Sequence, residues 1–254
     1  MKIVVKIGTS TLAHATGRLN IKRIEQLCKV LSDLKNAGHE IILVSSGAIG
    51  MGVGKLGLSA RPRDVAGKQA AAAVGQCELM YTYDKLFAEY NHTVAQILLT
   101  AEDLRHPVRH SNFENTMSRL LELAVLPIIN ENDTVATEEI EIGDNDTLAA
   151  IVAESTRADL LILLSDIDGL YTADPRKDTS ATLISDVYTL DEHVMALGGS
   201  AGSSLGTGGM ATKLRAAQIA TGAGCDMVIA NGAHPEALYC IVDGQAVGTR
   251  FHAQ

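Results

Sequence analysis

The sequence predicts an α/β fold in which parallel strands lie buried between helices, and three observations carry that prediction. Short runs of Val, Ile and Leu, such as residues 41–44 and 160–164, have the length and content of strands buried on both faces. Longer stretches between such runs place apolar residues at helical spacing. Strand, helix and strand follow one another within the first 40-odd residues, the signature of a βαβ unit. With 254 residues, 46% of them hydrophobic, and a mean hydropathy of +0.13, the chain has ample material for one large α/β domain or two intimate lobes.

Taken in order, residues 3–7 form the first strand, closed by the small-residue turn Gly8-Thr9-Ser10. Lys6 stands at its carboxyl end, where ligands of open α/β sheets gather and a lysine reaches a bound anion. Taken alone it reads equally well as a lysine snorkelling from an edge strand. Residues 21–37 form a helix through Ile21, Ile24, Leu27, Cys28, Leu31 and Leu34, with Gly38 as its stop. The strand 41–44 then runs into Ser45-Ser46-Gly47-Ala48-Ile49-Gly50, where free N–H groups and hydroxyls suit a carboxylate or phosphate. A tight turn packed on the sheet explains the glycines there, but explains the paired serines less well.

Gly52-Val53-Gly54-Lys55-Leu56-Gly57 fits G-x-G-x-x-G, yet it lies well past the strand end at Val44 and lacks the acid of a dinucleotide site, so we read it as chance. The chain holds no G-x-x-x-x-G-K-[ST], and no G-x-S-x-G surrounds Ser46. Residues 64–90 and 111–124 are helical by pattern, with a strand at 94–99 between them. His106 and His110 have metal-pair spacing, but Pro107 disfavours helix at His106, and both are expected in a surface loop.

The middle of the chain organises the rest. An apolar strand, 125–129, delivers Asn130-Glu131-Asn132-Asp133, and Gly143-Asp144-Asn145-Asp146 follows at the head of an Ala-rich helix over 148–154. One of Asp144, Asn145 and Asp146 is expected to cap that helix. Capping uses one residue, and so much negative charge is costly unless cations or donors answer it, so a ligand, a metal or a lysine is expected nearby.

The strand 160–164 ends in Ser165-Asp166-Ile167-Asp168-Gly169-Leu170-Tyr171, a run that suits a nucleotide base and ribose, though a plain β-turn reads as well. A Gly/Ser-rich stretch from Gly198 ends Gly206-Thr207-Gly208-Gly209-Met210-Ala211-Thr212-Lys213 and opens a helix to about Thr221. Linkers look like this too. Lys213, however, falls in the first helical turn, where the macrodipole disfavours a cation unless an anion such as a polyphosphate is present. A strand at 227–230 and a tail at 247–254 complete the chain, with no internal repeat and no second domain expected.

Composition excludes several classes of function. A net charge of −9 without a basic block argues against nucleic acid as a main partner. Cys28, Cys77, Cys225 and Cys240 are scattered and read as buried thiols of a reducing compartment. No signal-peptide pattern opens the chain and no apolar run is long enough to span a membrane, so a soluble, cytoplasmic protein is expected. Two lysines in anion-binding settings, a glycine-rich turn and acidic clusters together are the requirements of phosphoryl transfer.

Six blocks, around Lys6, Ser46, Asn130 to Asp133, Gly143 to Asp146, Ser165 to Arg176 and Gly206 to Lys213, resemble the amino acid kinase superfamily over essentially the whole chain. They most resemble its members that phosphorylate the γ-carboxylate of L-glutamate, the opening step of proline biosynthesis. The resemblance implies a three-layer αβα sandwich with a mostly parallel central sheet, a single domain over 1–254, with an amino-acid-binding lobe at 1–155 and a nucleotide-binding lobe at 156–254. It implies ATP and Mg²⁺ as cofactors. Lys6 and Lys213 would stabilise the transferring phosphoryl group and Asp146 would organise them. Ser46, Asp133 and Asn145 would hold L-glutamate, Asp133 through the ammonium. Lys6, Gly8, Ser165, Asp166, Thr207, Gly208, Gly209, Met210, Ala211, Thr212 and Lys213 would hold ATP, while metal ligands stay unassigned. Many bacterial members carry a C-terminal PUA domain, and none is expected here. The resemblance further implies a homo-oligomer (dimer or tetramer), feedback by proline, and channelling of product to glutamate-5-semialdehyde dehydrogenase. Two rivals remain: a kinase of the same fold acting on N-acetylglutamate, aspartate, carbamate or UMP, and a non-catalytic module. A free α-amino group asks for an acid such as Asp133, which speaks against the first, and a pure binder has no need of both lysines.

Overall fold

The computed structural model describes residues 1–14, 18–135, 144–199 and 209–254. The chain runs β1 (Lys2–Ile7), α1 (Thr9–Leu12), α2 (Ile21–Asn36), β2 (Glu40–Ser45), α3 (Ala48–Lys55), α4 (Val65–Ala88), β3 (Val94–Leu99), α5 (Ala101–Arg105) and α6 (Pro107–Glu122). It continues through β4 (Leu126–Glu131), α7 (Asn145–Thr156), β5 (Leu160–Ser165), β6 (Asp186–Val187), α8 (Glu192–Ala196), α9 (Met210–Gly222), β7 (Asp226–Asn231), α10 (Ala237–Val242) and β8 (Thr249–Phe251). Among the described residues the strands form one eight-stranded sheet in the order β3-β4-β2-β1-β5-β7-β8-β6. Every pairing is parallel except β7 with β8. Because β1 pairs with β2 on one side and with β5 on the other, both halves of the chain share one continuous sheet.

The strand sequences explain the three layers. Successive side chains of a strand point to opposite faces, and β1, β2 and β5 are apolar at nearly every position because both faces are covered. Ile3, Val5, Ile7, Ile41, Leu43, Ile162 and Leu164 pack with Ile24 and Leu27 of α2, Leu79 and Tyr83 of α4, and Ile241 of α10. Val4, Ile42, Val44, Leu161 and Leu163 face the other layer, with Leu148 and Val152 of α7, Leu214 and Ala217 of α9, and Phe113 and Met117 of α6. Each such fully buried aliphatic side chain contributes about 1.5–3 kcal/mol. No helix among the described residues is long and apolar enough to cross a membrane.

The G-x-G-x-x-G stretch lies in α3 and its turn, and its role is packing. A Cβ on Gly52 would stand 1.8 Å from the Ala71 carbonyl oxygen, and one on Gly75 would stand 1.8 Å from that of Ala48, so both glycines let α3 and α4 touch backbone to backbone. Two expectations need correction. His110 lies inside α6, not in a loop: Pro107 is the first residue of that helix, where its missing N–H has no partner to lose, and His110 Nε2 sits 2.8 Å from Ser155 Oγ. Of the four cysteines only Cys28 and Cys225 are buried; Cys77 is exposed on the outer side of α4 and Cys240 is half-buried. A thiol's apolar character says little about which side of a helix it occupies.

Candidate active site

The carboxyl ends of β1, β2, β4, β5 and β7 open on one side of the sheet, and the first turns of α3, α7 and α9 meet there. Lys6 has the same strand parity as Val4, so it faces the layer of α7 and α9. That layer supplies its partners. Lys6 Nζ lies 2.5 Å from Asp146 Oδ1, and Lys213 Nζ, from the first turn of α9, lies 2.8 Å from Asp146 Oδ2. All three are buried, with Asp146 1% exposed, Lys6 9% and Lys213 6%. Burial pushes the Asp146 carboxyl up, but the two ammonium groups outweigh it and hold the group at about 2. One carboxylate thus ties together two lysines from opposite ends of the chain, leaving a net positive charge.

Asp144 is the residue that caps α7, accepting from Thr147 N at 2.7 Å, which frees Asn145 and Asp146 for other partners. Asn145 Nδ2 reaches Ser46 Oγ at 2.7 Å, the Ser45 carbonyl at 3.1 Å and Asn130 Oδ1 at 3.0 Å. Ser46 is held where it is because Gly47, at φ 104°, turns the chain sharply into α3 through a conformation that side chains disfavour. Asp133 belongs to an acidic group with Glu131 and Asp144. Burial raises the Asp133 carboxyl, opposed by Arg61, and burial together with Asp133 and Asp144 raises Glu131 to about 7.

Beside the lysines a cleft of about 170 Å³, open to solvent, is lined by Ser165, Asp166, Gly209, Met210 and Lys213 along with Tyr171 and Arg176. Gly209 caps α9 without a side chain, so the first-turn N–H groups stay available for an anion. Thr212 Oγ1 lies 2.8 Å from the Gly209 carbonyl and 3.3 Å from Asp146 Oδ2, and Ala211 sits on the same turn. Ser165 Oγ donates to Asp166 Oδ1 at 3.2 Å, and Arg176 approaches Asp166 at 3.7 Å. Gly8 borders the other side: a Cβ there would lie 3.6 Å from Lys6 Nζ. Thr207 and Gly208 lie outside the described residues.

The structure therefore brings Lys6, Asp146 and Lys213 into direct contact, joins Ser46 to Asn145, and gathers Ser165, Asp166, Gly209, Met210 and Lys213 around one cleft. Sequence reasoning placed Asn130 and Glu131 in the central cluster without giving either a role, and did not single out Gln76. Gln76 did carry a signal: it is the one amide on the α4 stripe Ala72, Gln76, Leu79 and Tyr83, and a buried amide requires a partner. Among the described residues no group of three or more His, Cys, Asp or Glu side chains could hold a metal ion.

Comparison with known proteins agrees in both sequence and fold. The amino acid kinase family model matches residues 1–231. The chain is 56% identical over 251 residues to glutamate 5-kinase of Clostridium tetani, covering 99% of this chain and 94% of that protein. It is 55% identical over 250 residues to glutamate 5-kinase of Clostridium acetobutylicum, covering 98% and 94%. In three dimensions it is similar to carbamate kinase from Giardia lamblia bound to AMP-PNP, with a TM-score of 0.68 at 18% identity, over 100% of this chain and 98% of that one, a likeness of fold.

Proposed function

This chain belongs to the amino acid kinase family, and within it to the glutamate 5-kinases, and on that premise we propose that it transfers the γ-phosphoryl group of ATP to the γ-carboxylate of L-glutamate. The observation that carries the proposal is the buried triad Lys6–Asp146–Lys213, set between the cleft at α9 and the polar group around Asn145.

In the transfer, a lone pair of the substrate carboxylate forms the new O–P bond while the bond from Pγ to the β,γ-bridging oxygen breaks, and that electron pair leaves with ADP. The nucleophile is already an anion, so the step moves no proton and needs no general base. Asp146, ionised far below neutral pH, is suited to a different task, holding two ammonium groups against the phosphoryl oxygens as charge spreads over them. Ser46 and Asn145 would position the amino acid, and Asp133 its ammonium. Ser165, Asp166, the α9 turn from Gly209 to Lys213, and Thr207 and Gly208 would hold the nucleotide.

Mg²⁺ would enter on the phosphate oxygens of ATP, since Asp146 is committed to its lysines and no cage of acidic or imidazole ligands stands among the described residues. Membership of the family also supports, as proposals, a homo-oligomer, feedback by proline and a cytoplasmic site of action. The labile acyl phosphate product favours direct passage to glutamate-5-semialdehyde dehydrogenase.

The test is ATP- and Mg²⁺-dependent formation of γ-glutamyl hydroxamate from L-glutamate and hydroxylamine, with N-acetylglutamate and aspartate as parallel acceptors. Signal with L-glutamate alone is the expected result. Signal with another acceptor instead would overturn the substrate, and none with any would overturn the enzyme.

A further inference from the structure

Helix α4 carries a polar residue that reaches the site from behind, and we propose that Gln76 is a positioning residue for the acceptor side, fixing the orientation of Asn145 through Asn130. The proposal rests on the acceptor reading given above. Gln76 and Asn130 are 6% and 2% exposed, so their amides must find partners within the protein. Asn130 Nδ2 donates to Gln76 Oε1 at 2.9 Å, and Asn130 Oδ1 accepts from Asn145 Nδ2 at 3.0 Å. Asn145 Nδ2 in turn meets Ser46 Oγ.

The polarity of this relay is set by backbone groups, which cannot exchange donor for acceptor. Glu131 N can only donate, and it lies 2.9 Å from Asn130 Oδ1, so that oxygen must face it and Asn145, leaving Nδ2 to face α4. The Ser45 carbonyl can only accept, and it lies 3.1 Å from Asn145 Nδ2, so the Asn145 amide is fixed in the same sense. Gln76 is then the group that accepts the donor of Asn130. Its oxygen satisfies a buried N–H that an apolar residue at this position would leave unpaired.

The helix is set at the right height for this. Gly75 touches α3 at its first residue, Ala48, where any Cβ would overlap the backbone, and Tyr83, two turns further along α4, meets Ser45 Oγ at 2.9 Å. Gly75, Gln76 and Tyr83 thus lock α4 onto Ser45, Ala48 and Asn130, the segments that flank Ser46 and lead to Asn145. Without the Gln76 oxygen, the Asn130 Nδ2 donor is left buried with no partner, and the cost of that orphan is relieved by moving Asn130 out of line with Asn145.

The experiment measures KM for L-glutamate and for ATP, kcat and Tm in the wild type, Gln76→Leu and Gln76→Glu, the last keeping an acceptor oxygen at the same reach. Loss of the bond should raise glutamate KM about tenfold in Gln76→Leu with ATP KM little changed, and Gln76→Glu should recover most of that loss. Glutamate KM within about twofold of wild type in Gln76→Leu, or an equal rise in both KM values, would overturn the proposal. Gln76→Ala removes the same oxygen without adding bulk, and decides the matter in the same way should Gln76→Leu not fold. A wild type that forms no γ-glutamyl hydroxamate would instead remove the acceptor reading, and this proposal with it.

Discussion

Two groups of carboxylates stand close together at the carboxyl ends of the strands and meet opposite electrostatic conditions. Asp146 is the more deeply buried, yet its carboxyl is held at about 2 because Lys6 and Lys213 answer its charge from both sides. Glu131 is less buried, yet desolvation and its neighbours Asp133 and Asp144 raise it to about 7. The first group is complete in itself: its ion pairs organise the lysines before any ligand arrives. The second carries charge that Arg61, beside Asp133, answers only in part, since Asp133 and Glu131 are both raised. An acidic recess of that kind is suited to an ammonium group brought by a ligand, and the completed triad is suited to the phosphoryl group that must be transferred to it.

The largest expected effect breaks the completed side. Lys213→Ala leaves Asp146 with Lys6 alone and should lower kcat by roughly 10²–10³-fold, the scale for removing a transition-state charge contact, with little change in glutamate KM. Turnover near that of wild type in a steady-state ATP assay would take Lys213 out of the mechanism. On the open side the expected effect is smaller and of a different kind. Asp133→Ala should raise glutamate KM by about tenfold while ATP KM holds, as for the loss of one charge-assisted contact. A raised ATP KM with unchanged glutamate KM would show that the two sides have been assigned the wrong way round.

How much of this was legible in the sequence depends on whether a feature is local. The strand at 94–99 and the helices from 21 and to about 221 follow from periodicity and glycine stops, which act over one or two turns. The short elements α1, α5, α8, α10, β6 and β8 do not, because two to six residues carry too little pattern. β8 exists as a strand by pairing with β7 and β6, a tertiary fact. In the site, Lys6 and Lys213 were visible as cations in anion-binding settings and the family resemblance named Asp146 as their organiser, but the direct contacts that join the three are a tertiary fact. The bond from Gln76 to Asn130 spans 54 positions and leaves no mark on spacing, so only the buried amide on an apolar helix stripe hinted at it.

The smallest effect tests whether the open side is in fact uncompensated. The folded-state value of Glu131, about 7, lies above its ordinary 4.5, so the folded protein favours the protonated carboxyl. Below pH about 4.5 both folded and unfolded states hold the proton and this residue costs nothing. As pH rises toward about 7 the unfolded chain ionises first and stability falls, and above that the penalty is fully present. Screening by solvent at this partly exposed group reduces it to on the order of 1 kcal/mol. Glu131→Gln should therefore melt about 2–4 °C above wild type at pH 8 and with it at pH 4.5, when heated without substrate. L-glutamate should narrow the gap at pH 8, because its ammonium supplies the missing counter-charge. A gap that does not change with pH would mean that Glu131 ionises freely, and the contrast between a completed and an unanswered group of carboxylates would then fail on its own terms.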